Sequence, residues 1–100
     1  MSNKYVYLYS GGNPPKSEAE GKAMMKAWMD YFGKIGGALV DGGAPFARGE
    51  SKLFGKAQHS HATGYSIVQA ENLKQAIALT DGHPHLAQGG GIEVFECAKM

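Results

Sequence analysis

The sequence predicts an α+β domain in the order β-α-β-β-α-β, and three observations carry that reading. One hundred residues with 43% apolar composition suffice for one core, so residues 1–100 are read as a single domain. Four short runs rich in β-branched or aromatic residues alternate with two segments of helical spacing. Fifteen glycines, about twice the usual share, fall in groups at the ends of those runs, where turns need them.

The first strand is Tyr5-Val6-Tyr7-Leu8-Tyr9, closed by Ser10-Gly11-Gly12-Asn13-Pro14-Pro15. Both of its alternating sets are apolar, which predicts cover on both faces. Ser17 and Glu20 have the spacing of a capping box and open a helix from Glu18 to Ile35, stopped at Gly36-Gly37. Met24, Trp28, Tyr31 and Ile35 form one stripe of that helix, widened by Met25, Met29 and Phe32. Lys22, Lys26, Asp30 and Lys34 hold the opposite side.

Ala38-Leu39-Val40-Asp41 is a second short strand, ending at Gly42-Gly43. Residues 47–63 give a poor signal and are expected to hold a short hairpin or extended piece. Gly64–Ala70 is the third strand. Asn72 and Gln75 repeat the capping spacing before a second helix over Leu73–Thr80, expected to bury Leu73, Ala76 and Ile77 and to end at Gly82. His83–Ala87 is a turn or short helical piece, and Gly91–Cys97 is the last strand, with Cys97 packed.

This order is the ferredoxin-like plan: a four-stranded antiparallel sheet with two helices on one face. The strands are apolar on both faces, so the second face needs a cover, and a homodimer stacking sheet on sheet is the simplest one. Charged residues make up only 19%, which agrees with a partly covered surface. Ten Lys+Arg against nine Asp+Glu, with no basic block, argue against a nucleic-acid partner. No apolar run is long enough to cross a membrane. A lone cysteine and a polar N-terminus without a signal-peptide core predict a cytoplasmic protein.

Gly37-Ala38-Leu39-Val40-Asp41-Gly42-Gly43, Thr63-Gly64-Tyr65-Ser66-Ile67-Val68, Gly82-His83-Pro84-His85-Leu86 and Gly89-Gly90-Gly91-Ile92-Glu93-Val94 together resemble the YCII-related family, over most of the chain from Trp28 onward. The resemblance implies a dimeric α+β barrel with a cleft near the sheet. It also implies cofactor-free chemistry by a His/Asp pair on small, often ring-derived molecules. The sequence departs from the family at the first helix: the histidine many members carry there is replaced by the stretch Met24-Met25-Lys26-Ala27-Trp28. A site must therefore be built from the histidines present.

All four histidines fall in two H-x-H pairs, His59/His61 and His83/His85. Imidazole suits proton transfer near neutrality. Asp41, at the end of the second strand, is the candidate to orient His83 or His85 and raise its pKa, making a catalytic set of Asp41, His83 and His85. The alternative is that His83 and His85 cap the end of the second helix, where the dipole favours a charged ring. Trp28 and Tyr65 are candidates for the apolar wall of the cleft. Arg48, with Lys52, is the candidate for holding an anion.

Two H-x-H pairs could supply nitrogens to a metal, but they lie some twenty residues apart without carboxylates in a ligand pattern, and His59/His61 sit in a loop-like segment. No metal and no cofactor are expected. Gly89-Gly90-Gly91 leads into a strand, so it lacks the helix start of a phosphate loop. Two functions follow from these residues: a cofactor-free lyase or isomerase acting on a small organic molecule, or a non-catalytic ligand-binding module with the same cleft.

Overall fold

The computed structural model describes residues 2–99. The chain runs β1 (Asn3–Gly11), α1 (Glu18–Ile35), a short 3-10 turn (Gly36–Ala38), β2 (Leu39–Pro45), β3 (Ala62–Ala70), α2 (Leu73–Ala78), α3 (Pro84–Ala87) and β4 (Gly90–Glu96). The four strands form one antiparallel sheet in the order β2-β3-β1-β4. This α+β arrangement is compatible with a ferredoxin-like plan. Among the described residues, no helix is long and apolar enough to cross a membrane.

The caps explain the helix starts. The Ser17 hydroxyl accepts from the Glu20 N–H at 3.1 Å, and the Asn72 side chain accepts from the Gln75 N–H at 2.8 Å. The Gln75 side chain accepts in turn from the Glu71 N–H at 2.7 Å, which closes the second cap from both sides. Gly36, at φ 53°, ends α1 in a conformation that costs other residues more.

The sheet has one covered face. Tyr5, Tyr7, Tyr9, Ser66, Val68 and Ala70 are buried, while Val6, Leu8 and Ile67, alternating with them, are only half-buried. The buried tyrosines meet the helices: Tyr9 packs edge-on against Trp28 of α1 with ring centres 5.2 Å apart, and the Tyr7 hydroxyl donates to the Ala76 carbonyl of α2. From α1, Tyr31 donates to the Leu79 carbonyl at 2.7 Å, tying the first helix to the end of the second. The fold is thin as a result, with extents of 43 × 39 × 18 Å, the depth of a sheet and one helical layer.

Several boundaries differ from the sequence reading, each for a physical reason. β2 does not stop at Asp41; it runs through Gly42-Gly43 to Pro45, with its register to β3 broken on either side of Asp41. Gly43 is at φ 72°, and a Cβ there would overlap the Tyr65 carbonyl, so this pair is a bulge within a strand and not a turn. Residues 46–61 form neither the hairpin nor any strand and are exposed throughout. Leu73 and Ile77 of α2 point outward at 42% and 51% exposure, leaving Ala76 as that helix's buried residue. Met25 and Met29 are also exposed, so the buried arc of α1 is narrower than its composition suggests. Of the two alternatives for His83–Ala87, the short helical piece is the one formed, as α3. Among the described residues it adds a third helix to the two of the expected plan. Cys97 follows the end of β4 and is exposed, where a packed residue was expected.

Candidate functional site: a histidine-walled cleft between α1 and the sheet

The short helix α3 begins at Pro84, whose ring suits the first helical position, and its N-cap is His83. His83 is 1% exposed, enclosed by the rings of Trp28 at 4.8 Å, Tyr31 at 4.3 Å and Tyr9 at 5.2 Å. Its hydrogen bonds fix its proton. Ser66 Oγ donates to the Gly42 carbonyl at 2.8 Å, and a carbonyl can only accept. Ser66 therefore accepts from the Tyr9 hydroxyl at 2.8 Å, and Tyr9, its proton used, accepts from His83 Nε2 at 3.0 Å. On the other side, His83 Nδ1 accepts from the His85 backbone N–H at 3.1 Å. A neutral ring protonated at Nε2 satisfies every partner.

Charging His83 would place a second proton at Nδ1, against the His85 N–H. Burial is the largest influence on this group, followed by a charge on neighbouring His85, and together they push the His83 pKa down to about 4. Burial likewise raises Tyr9 and Tyr7 to about 12, so both remain phenols across the ordinary pH range. The network under the helices is neutral and closed.

His85 is placed differently. Its Nε2 faces the Ser10 carbonyl at 2.9 Å, so the neutral ring carries its proton there and keeps a lone pair at Nδ1. The ring lies in a glycine cradle: a Cβ on Gly90 would overlap it, and one on Gly12 would stand 2.9 Å from it. Nδ1 has no hydrogen-bond partner among the described residues, and His85 lines a cleft of about 610 Å3. That volume lies in the range of small-molecule sites.

The cleft opens between α1 and the ends of β1, β2 and β3. Met24, Trp28 and Phe32 of α1 form an apolar wall facing Gly42–Pro45 and Thr63-Gly64. Asn13 and Gln88, joined by an N–H to carbonyl bond of 3.0 Å, carry polar groups at the rim, and Arg48 closes the side beyond β2. Of the residues singled out in the sequence, Trp28, Arg48, Tyr65 and His85 border this one space. Tyr65 borders it from its strand while its ring stacks on Phe46 at 5.9 Å.

Asp41 and His83 do not line the cleft. The expected Asp41–histidine pair is not formed: the exposed Asp41 carboxylate accepts from the Gly43 N–H at 2.8 Å, bracing its own bulge. With Gly42-Gly43 inside a strand, Asp41 opposes Ile67, which alternates with the helix-covered residues of β3. The His83 pKa accordingly moves down through burial, not up through a carboxylate. Nor does His83 serve as a charged cap on the end of the preceding helix; it is the neutral cap at the start of the next.

Sequence reasoning missed the Tyr9–Ser66 link and the Ser10 carbonyl. Tyr9 carried a signal in the tyrosine alternation, whereas nothing local distinguishes Ser66 from an ordinary strand serine. His59 and His61 stack on each other at 4.4 Å in the exposed segment, where His59 Nδ1 accepts from the His61 N–H at 2.9 Å. Among the described residues, no group of three or more His, Cys, Asp or Glu side chains is arranged to hold a metal ion. No protein-family model matches the chain, and no curated protein matches it significantly.

Proposed function

We propose that the protein is a homodimer of the YCII-related type whose cleft binds a small organic molecule, with His85 as general base and acid. The observation that carries the reading is the His85 ring itself: one nitrogen is tied to the Ser10 carbonyl, the other is left with a lone pair, and the ring lines an apolar cleft. In a lyase or isomerase of this kind, Nδ1 takes a proton from an acidic C–H of the substrate. It returns that proton to another atom of the same molecule or to the leaving group. His83 is a positioning residue, since its Nδ1 holds the backbone N–H of His85.

The dimer is supported by the uncovered side of the sheet. Val6, Leu8 and Ile67 are half-buried there, and Phe95 is 44% exposed on the same side of β4. Stacking two such faces would complete a ferredoxin-like dimeric α+β barrel and leave the cleft, which lies on the helix side, open in both copies. A second reading, a binding module without turnover, is favoured by one observation: no carboxylate bonds either nitrogen of His85 among the described residues.

The two readings separate by isotope exchange. The protein is incubated in deuterium oxide with a panel of small keto, enol and hydroxy compounds, and loss of C–H signals is followed by proton NMR. Exchange that is present in the unaltered protein and absent in His85→Gln supports the enzyme. Binding without exchange of any compound supports the module.

A further inference from the structure

The charge distribution around the cleft limits what it can take. Among the described residues, Arg48 is the only Lys, Arg, Asp or Glu bordering the space, so one positive charge faces it with no carboxylate in the wall to compensate. Arg48 forms no ion pair among the described residues. The remaining wall is largely apolar, with Trp28 and Phe32 packed edge-on, their ring centres 5.7 Å apart and their planes at 63°. On the other flank stands His85, whose Nδ1 has no donor among the described residues.

The segments carrying these two polar groups leave the sheet at different strands. Arg48 follows β2, while His85 lies against Ser10 and Gly90, which belong to β1 and β4. β2 and β1 are separated by β3, two strand spacings or about 10 Å of sheet width. A second concavity also borders Arg48, but among the described residues it is lined only by residues within 45–63 and includes Glu50, opposite in charge to the guanidinium. The cleft under α1 is the side on which Arg48 stands uncompensated.

Resting on the cleft reading above, we infer that the ligand is a small amphipathic monoanion: a flat apolar body lying along Trp28 and Phe32, a carboxylate held by Arg48, and a hydroxyl at the opposite end donating to His85 Nδ1. A guanidinium pairs a planar carboxylate through two parallel N–H groups. A phenol or enol hydroxyl satisfies the orphan acceptor, and the ring between them replaces water against the aromatic wall.

Trp28 is the single tryptophan of the chain and borders the cleft, so its fluorescence reports on occupation of this space. Excited at the red edge, where a phenol does not absorb, the full-length protein is titrated with 3-(4-hydroxyphenyl)propanoate, with its primary amide and with 3-phenylpropanoate. The acid is expected to change the emission saturably, with the amide about tenfold weaker or more and the phenyl acid several-fold weaker, as charge-assisted and neutral hydrogen bonds differ. Arg48→Gln, at an exposed position, should remove the preference for acid over amide and leave the amide's affinity within about twofold. Equal binding of acid and amide, or a preference that survives in Arg48→Gln, overturns the anion assignment while the cleft stands as a binding site. Equal binding of the two acids overturns the hydroxyl contact. No saturable change with any of the three overturns the cleft reading itself.

Discussion

The two faces of the sheet are built on opposite principles. The helix-covered face carries tyrosines and a serine, met from α3 by two histidines, and their polar atoms find partners within the network, His85 Nδ1 excepted. The other face carries an apolar patch of Val6, Leu8, Ile67 and Phe95, with Glu93 opposite Leu8 and Lys4 opposite Gln69, and no helix packs above it. A buried face can include hydroxyl and imidazole groups when each has a partner, because burial is costly only for the unpaired. An apolar patch without cover has no such solution within one chain. It needs a second surface.

Substitutions should separate the two faces sharply. The largest loss is expected for His83→Ala, which removes the cap of α3, takes from the Tyr9 hydroxyl the donor it accepts from and opens a cavity among Trp28, Tyr31 and Tyr9. A cost of roughly 3–5 kcal/mol in urea unfolding is expected. Phe95→Ala on the open face should cost well under half of that in the isolated chain. Equal losses at the two sites would erase the distinction.

The covered face should also be the acid-sensitive one. His83 has a folded pKa of about 4, below the ordinary 6.5, so the unfolded chain binds a proton that the native chain refuses. The His83 contribution is unchanged above pH 6.5, and stability falls as pH drops from there toward 4, by about 3 kcal/mol in all. His83→Gln should flatten that part of the pH–stability curve; an unchanged slope would place the titrating group elsewhere.

A smaller effect is expected within the network. Ser66→Ala leaves the Tyr9 hydroxyl without its acceptor and the Gly42 carbonyl without a donor. It should cost roughly 1–3 kcal/mol. On the open face, Ile67→Glu should barely alter the far-ultraviolet circular dichroism while converting the proposed dimer to monomer in sedimentation. A species of unchanged mass would remove the sheet face as its interface.

The contrast between the faces also marks what could be read from the sequence. Strand alternation and the two capping residues, Ser17 and Asn72, were legible because they act over a few neighbours. So were the four-stranded plan and the α1 stripe. The bulge at Gly42-Gly43 was not, because glycine pairs mark turns and bulges alike, and only the Tyr65 carbonyl from another strand decides between them. That ambiguity misplaced Asp41 and with it the expected acid–base pair. The cleft residues Trp28, Arg48, Tyr65 and His85 were each legible as candidates, yet their grouping brings together positions 17 to 57 residues apart in sequence. His85 shows the difference most clearly: its partner is a backbone carbonyl, a group that every residue possesses and no sequence pattern reveals.

The assignment of His85 as the proton-transferring group depends on which ring nitrogen carries the proton. Two-bond proton–nitrogen correlation spectra of uniformly labelled protein report this directly for each histidine. The account predicts that neutral His83 and neutral His85 are both protonated at Nε2, with an unprotonated Nδ1 in each ring and the His83 pattern unchanged between pH 7 and about 5. A His85 ring protonated at Nδ1 would turn its lone pair toward the Ser10 carbonyl and contradict the proposed site.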